Sequence, residues 1–189
     1  MTDGALPRIE VIQGCMFSGK TEELIARLRE AREAGRGVRA FKHSIDNRYD
    51  PDHLITHTRD RFPALRVPDA AAIERESAAA EVVGVDEGHF FGAALIDAVQ
   101  RMFRAGKRVI VVGLENDAWG RPFTPMPQLA AIAGHVVCKR VACVVCGAAA
   151  PYTQRMVPVM DRCMVGGLDD YEPRCREHFQ PLPEPAPPM

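Results

Sequence analysis

The sequence predicts an α/β fold in which a parallel sheet covered by helices carries a phosphate-binding loop, with a small zinc-binding subdomain after it. Three observations predict it. Short apolar runs alternate with amphipathic helical stretches from Ile9 to Leu114, the pattern of a parallel sheet with helices on both faces. A glycine-rich loop, Gly14 to Thr21, stands between the first apolar run and the first helical pattern. After Cys143 the helical periodicity disappears and Cys, Gly and Pro punctuate short segments, as in a unit too small for its own core and tied together by a metal.

Element by element, Ile9-Glu10-Val11-Ile12 reads as a buried strand ending at Gly14. A helix starts from Gly19, with Leu24, Ile25, Leu28 and Ala31 on one face and a stop at Gly35. The arginines Arg27, Arg29, Arg32, Arg36 and Arg39 read as a solvated surface. Val38 to Lys42 is a second strand, and residues 44–68 are polar and take no assignment. Asp69 caps a short Ala-rich helix ending near Ser77. Val82 to Asp86 is a third strand, and Leu95, Ile96, Val99, Met102 and Phe103 make a second helical stripe stopped by Gly106. Val109 to Leu114 is a further strand, and Val136-Val137 with Val141 suggest one more. Together these predict a nucleotide-binding domain over 1–141, a zinc subdomain over 142–179 and a disordered Pro-rich tail over 180–189.

Composition narrows the function classes. Lys and Arg (24) nearly cancel Asp and Glu (25), which leaves no electrostatic footprint for nucleic acid. No apolar run approaches the roughly 20 residues that span a bilayer, and Met1-Thr2-Asp3-Gly4 lacks the marks of a signal peptide. The expectation is a cytoplasmic protein with no nucleic-acid or membrane partner, in which six cysteines serve metal binding or chemistry rather than disulfides.

Gly14-Cys15-Met16-Phe17-Ser18-Gly19-Lys20-Thr21 matches G-x-x-x-x-G-K-[ST]. Its backbone N–H groups and the helix N-terminus suit phosphate oxygens, Lys20 suits the β- and γ-phosphates, and the Thr21 hydroxyl suits Mg²⁺. Asp86-Glu87 ends a strand that delivers it to the same sheet edge. Asp86 is then placed to hold Mg²⁺ and Glu87 to take a proton from an attacking oxygen. Asp86-Glu87-Gly88-His89 also spells a helicase-type D-E-x-H box; the chain is too short for the tandem core domains that such helicases need, and its charge is balanced. Cys143-Val144-Val145-Cys146 and Cys175-Arg176-Glu177-His178 are two C-x-x-[CH] knuckles, whose four ligands suit a closed, structural Zn²⁺ site, with Cys138 as the main rival ligand.

These pieces together, from about Glu10 to Phe179, resemble the type II (cytosolic-type) thymidine kinases. The loop Gly14 to Thr21 is similar to that family's G-x-M-F-S-G-K-[ST], and Asp86-Glu87-Gly88-His89-Phe90-Phe91 to its D-E-[GA]-Q-F-F box. Asp46-Asn47-Arg48-Tyr49, Thr56-His57, Gly113-Leu114 with Arg121-Pro122-Phe123, Tyr152-Thr153-Gln154-Arg155, Val165-Gly166-Gly167 and Tyr171 resemble further family segments, in order. The resemblance implies a RecA-like P-loop domain with a zinc-tethered lasso, a homotetramer, and transfer of the ATP γ-phosphate to the 5′-hydroxyl of thymidine. It implies Glu87 as general base and ATP contacts from Gly14 to Thr21, Asp46, Asn47, Arg48 and Asp86 to His89. It places Phe90, Leu114, Ala118, Phe123, Thr153, Arg162, Cys163, Met164, Val165, Gly166 and Tyr171 around the nucleoside. It also puts Cys143, Cys146, Cys175 and His178 at the family's zinc positions.

Three departures from the family pattern stand out. His89 replaces a Gln, Ala118 replaces a Phe with Trp119 directly after it, and Leu114-Glu115 replaces L-D. Two other readings compete with a kinase. One is a nucleic-acid-dependent ATPase with a zinc knuckle, and the other is a nucleotide-binding regulator with little catalysis.

Overall fold

The structure is a computed structural model that describes residues 8–46, 50, 52–56, 58–158, 169–181 and 183. The chain opens with strand β1 (Ile9–Gly14), helix α1 (Lys20–Glu33) and strand β2 (Val38–His43). Three short strands follow, β3 (His53–Ile55), β4 (Arg61–Pro63) and β5 (Leu65–Val67). Then come helix α2 (Ala70–Glu76), strand β6 (Val82–Val85), a 3-10 turn (Gly88–Phe91), helix α3 (Ala94–Arg104) and strand β7 (Arg108–Leu114). Helix α4 (Met126–Ile132) leads to strand β8 (His135–Lys139) and to the short strands β9 (Val141–Ala142), β10 (Ala149–Ala150), β11 (Tyr152–Arg155) and β12 (Tyr171–Arg174).

Six strands form one sheet in the order β5-β2-β6-β7-β1-β8, and every pairing in it is parallel. Alternate residues of each strand point to opposite faces, and both faces are apolar. Val11, Val83, Val85, Val109 and Val111 pack with Ile73, Leu95, Val99, Met102, Met126 and Leu129 from α2, α3 and α4. On the other face Ile12, Val82, Ile110 and Val112 pack with Leu24, Ile25 and Leu28 of α1, and with Leu54 and Phe62 of the β3–β4 hairpin. Strands buried on two sides have to be apolar throughout, which is why the sequence reads as continuous runs there.

Glu10 is the exception within that core. Its side chain is 1% exposed, at the second position of β1. It accepts from Arg8, Arg27 and Arg108, Arg108 Nε at 2.5 Å. Burial alone would raise the Glu10 carboxyl, but Arg108, Arg27 and Arg8 outweigh it and hold it below the usual carboxylate range.

Several expectations are corrected here. The unassigned stretch 44–68 contains β3, β4 and β5; strands of three residues are too short to show alternation. In α3 the buried positions are Leu95, Ala98, Val99 and Met102, whereas Phe103 is exposed. The single strand expected around Val136 and Val141 is two, β8 in the main sheet and β9 paired with β10. The arginine face stays at the surface, with Arg29 and Arg36 each 37% exposed at the side chain, and most of its members are also paired. Arg27 binds Glu10 and Glu23, Arg29 binds Asp60, Arg36 binds Glu81, and Arg32 lies over the Phe62 ring. The end 184–189, most of the expected tail, lies outside the described residues.

Candidate active site

Parallel strands deliver their C-terminal ends to one sheet edge, so the residues after β1, β2, β6 and β7 meet there. They enclose a cleft of about 670 Å³, its open mouth included, lined by residues 16–22, Lys42, Asp46, Asp86, Glu87 and Leu114 with the 53–56 segment. The loop between β1 and α1 forms one wall. Gly14 has no room for a side chain, since a Cβ there would stand 2.4 Å from the Lys139 carbonyl oxygen. Gly19 sits at φ 75°, the left-handed conformation that glycine takes without strain. Ser18 Oγ donates to the Cys15 carbonyl at 2.8 Å, and Lys20 Nζ donates to the same oxygen at 2.6 Å. Lys20 is thus held across the loop.

The loop is braced from the C-terminal part of the chain. Met16 N–H donates to Thr153 Oγ1 at 3.0 Å, and Cys15 Sγ donates to the Ala150 carbonyl at 3.1 Å. Cys15 packs with Cys143, Ala150 and Cys175. Burial pushes the Cys15 thiol up, against Lys20 and Arg140, which makes it an inert packing group.

The acidic pair sits beyond β6. Asp86 N–H donates to the Phe41 carbonyl at 2.9 Å, anchoring the turn to β2. Thr21 Oγ1 stands 3.2 Å and 3.4 Å from the two Asp86 oxygens. Adjacent ligands at about 2.1 Å on one octahedral Mg²⁺ stand roughly 3 Å apart, so this oxygen pair fits that ion. Glu87 takes φ 49° and ψ 45°, a left-handed conformation that a residue with a Cβ enters only under constraint. Its N–H donates to Asp86 Oδ1 at 3.0 Å.

His89 is buried, between the Phe90 ring at 4.3 Å and the Phe123 ring at 4.7 Å. Its Nδ1 accepts from Leu114 N–H at 3.2 Å and lies 3.7 Å from Glu87 Oε2. An accepting Nδ1 puts the neutral imidazole proton on Nε2. A glutamine amide also offers an acceptor and a donor, with one further N–H that a neutral imidazole lacks.

The cysteine knuckles meet. The ligand atoms of Cys143, Cys146, Cys175 and His178 all lie within 4.8 Å of one another. Cys146 Sγ to Cys175 Sγ is 3.6 Å, and Cys175 Sγ to His178 Nδ1 is 3.2 Å. Sulfur ligands at about 2.3 Å on a tetrahedral Zn²⁺ stand about 3.8 Å apart, so the cluster is the size of a zinc site. Burial would raise the Cys143 thiol, but N–H donors from Cys175, Val145 and Cys146 and the Cys175 thiol outweigh it and bring it down to about 6. The four residues can hold a metal such as zinc. Cys138, the rival ligand, lies on β8 beside Gln13 and outside this cluster.

The model of the family described as "Thymidine kinase" matches residues 7–179. The chain belongs to the thymidine kinase family. It is 45% identical over 178 residues to a thymidine kinase of Rhodothermus sp. (strain ITI 518), covering 94% of this chain and 84% of that one. It is 44% identical over 174 residues to a thymidine kinase of Bdellovibrio bacteriovorus, covering 92% and 85%. A thymidine kinase of Bacteroides thetaiotaomicron is 42% identical over 172 residues, covering 91% and 86%. In the sheet, β6, which ends just before Asp86, is separated from β1, which ends at the phosphate loop, by one strand, β7.

Seen from the thymidine kinase resemblance, the structure brings together Met16 to Thr21, Asp46, Asp86, Glu87 and Leu114 around one cleft, with Gly14 and Cys15 outside its lining. His89, Phe90 and Phe123 form a ring cluster reaching Leu114 and Glu87. Ala118 and Trp119 lie half-buried on the loop after β7, which Asp117 closes by accepting from the N–H groups of Trp119 and Arg121 at 3.0 Å each. Tyr171 is buried opposite Arg155 where β11 pairs with β12, and that pairing frames the two ends of the lasso segment. Asn47, Arg48, His57, Arg162, Cys163, Met164, Val165 and Gly166 lie outside the described residues. Sequence reasoning missed Lys42, which lines the cleft, and the contact from Thr153 to the phosphate loop. The lysine closes an otherwise apolar strand end, a signal that was present. The threonine contact spans 137 residues and left no local sign.

Proposed function

We propose that this chain transfers the γ-phosphate of ATP to the 5′-hydroxyl of thymidine, and of deoxyuridine to a comparable or lesser extent, giving dTMP for salvage into DNA synthesis. The observation that carries it is the convergence of Lys20, Thr21, Asp86 and Glu87 on one cleft in a chain of the thymidine kinase family. Gly14 to Thr21 cradle the phosphates, assisted by Asp46, Asn47 and Arg48. Thr21 and Asp86 hold Mg²⁺, which supplies positive charge to the β- and γ-phosphate oxygens when bound. Glu87 accepts the proton of the 5′-hydroxyl as that oxygen bonds to the γ-phosphorus and ADP leaves. Lys20, Arg48 and Arg155 balance the charge that develops.

The nucleoside lies against Phe90, Leu114, Ala118, Phe123 and Tyr171, with the backbone of Arg162, Cys163, Met164, Val165 and Gly166 on the base. Thr153 is taken up by Met16 through its hydroxyl, so its methyl is the group we assign to the thymine side. Closure of the lasso over the nucleoside would exclude water and favour transfer over hydrolysis. Zn²⁺ on Cys143, Cys146, Cys175 and His178 is structural and, through Cys15 and Thr153, supports the phosphate loop. No described helix is long and apolar enough to cross a membrane; a cytoplasmic homotetramer completes the proposal.

Glu87→Gln tests it. The variant keeps ATP affinity and loses roughly 10²-fold or more of the transfer rate, the usual scale of base catalysis. Near-normal turnover would remove Glu87 from the mechanism.

A further inference from the structure

The cleft holds a second lysine that the phosphate-loop motif does not account for. Lys42 is 3% exposed and lines the same cavity as Lys20, Thr21, Asp86 and Glu87. Its position follows from register. Phe41 on β2 pairs with Val85 on β6, and Asp86 N–H donates to the Phe41 carbonyl at 2.9 Å, so Lys42 and Asp86 are neighbours at the ends of adjacent strands. That puts Lys42 on the far side of Asp86 from β1 and its phosphate loop, across the shared cavity.

The surroundings of the ammonium are unusual. It donates to the Asp50 carbonyl and, at 3.1 Å, to the His53 carbonyl. No carboxylate lies within ion-pair distance of it among the described residues; Asp46, Asp50 and Asp86 act on it only through space. A buried cation is normally paired with an anion, and an ammonium has three N–H donors. Two are spent on neutral carbonyls, and the third has no acceptor among the described residues. Burial pushes this ammonium down from its ordinary range, with Asp46 and Asp50 opposing.

We propose that Lys42 binds the terminal phosphate of the nucleotide, using two donors to hold the Asp50 and His53 carbonyls and the third for a γ-phosphate oxygen. The inference rests on the proposed function, in that the cleft takes ATP. Lys42 then makes a contact that ADP cannot make, so it discriminates triphosphate from diphosphate and releases its hold when the phosphoryl group has gone.

The test compares binding of Mg·ADP with that of Mg and a non-hydrolysable ATP analogue by titration calorimetry, using the full chain without an acceptor. Lys42→Gln can still donate to the Asp50 and His53 carbonyls but carries no charge, and Lys42→Arg keeps the charge. Lys42→Gln is expected to weaken the triphosphate analogue about tenfold or more, the scale of one lost charge-assisted bond to phosphate, with ADP affinity within about threefold. Lys42→Arg retains most of the preference for triphosphate, and melting curves show whether each variant is folded. Equal weakening for both nucleotides would make Lys42 a loop anchor only and overturn the inference, as would no weakening of either. A native chain that binds neither nucleotide would overturn the proposed function itself. Wrong choice of thymidine as acceptor would leave this comparison intact.

Discussion

Replacing Glu10 by Gln should destabilise the whole domain, because the carboxylate is the only described anion inside a cage of three guanidinium groups. Glu10 is 1% exposed at its side chain, and Arg8, Arg27 and Arg108 reach it with side-chain exposures of 38%, 15% and 12%. Removing one partner of a buried ion pair costs about 3–5 kcal/mol. The arginines here retain some access to water, and the amide still accepts hydrogen bonds, so the lower end applies, about 3 kcal/mol. In a domain of this size each kcal/mol moves Tm by about 2–4 °C, which gives a drop of roughly 6–12 °C.

The pH dependence follows from the sign of the shift. The folded Glu10 carboxyl is held below its ordinary value, so its contribution is complete above the unfolded value of 4.5 and is lost as pH falls through the lower folded one. Calorimetry on the two proteins should show a gap in Tm that is constant from neutral pH down to about pH 5 and closes below pH 4.5. Because the carboxylate is buried, 0.5 M salt should leave most of the gap. A gap under about 1 kcal/mol, or one that stays open into acid, would refute the account of the cage.

Other perturbations test separate parts of the molecule. Metal analysis should find about one zinc per chain, and Cys175→Ser or a strong chelator should lower both Tm and ATP binding, since the cluster packs on Cys15 of the phosphate loop; a folded, metal-free chain with unchanged nucleotide affinity would count against the site. Gly88→Ala puts a Cβ 2.5 Å from Val111 Cγ1, and a β-branched side chain in a strand cannot swing aside, so a loss of about 1–3 kcal/mol is expected with slower transfer from a displaced Glu87. Denaturant titration and the transfer assay read the two effects, and a neutral result in both would refute the packing argument. Asp69 accepts from Ala72 N–H at 2.8 Å as the cap of α2, so Asp69→Ala should cost about 1 kcal/mol without touching nucleotide binding.

Much of this was legible in the sequence where local chemistry decides structure. The phosphate loop showed itself through fixed residue types. The buried face of α1 at Leu24, Ile25, Leu28 and Ala31 showed itself through helical spacing, and α2 through its Asp69 cap. The knuckles at Cys143 and Cys175 announced a common site by ligand type and by their paired spacing. What escaped depends on distant neighbours. Helix α4 is seven residues long, with Met126 and Leu129 as its buried positions, too few to set a period. Strands β3 to β5 owe their existence to their partners. Glu10 passed unremarked inside the first apolar run, because its partner Arg108 lies 98 residues away. Thr153 looked like a nucleoside contact alone, and the structure shows that its hydroxyl also serves the phosphate loop.

The most direct test of the central claim is a transfer assay with γ-labelled ATP, Mg²⁺ and a panel of thymidine, deoxyuridine, deoxycytidine, deoxyadenosine and uridine. The account predicts label in thymidine monophosphate, with little in the purine or ribose products. Label only in free phosphate, or in no product, would contradict it and move the chain to an ATPase or a nucleotide-binding regulator.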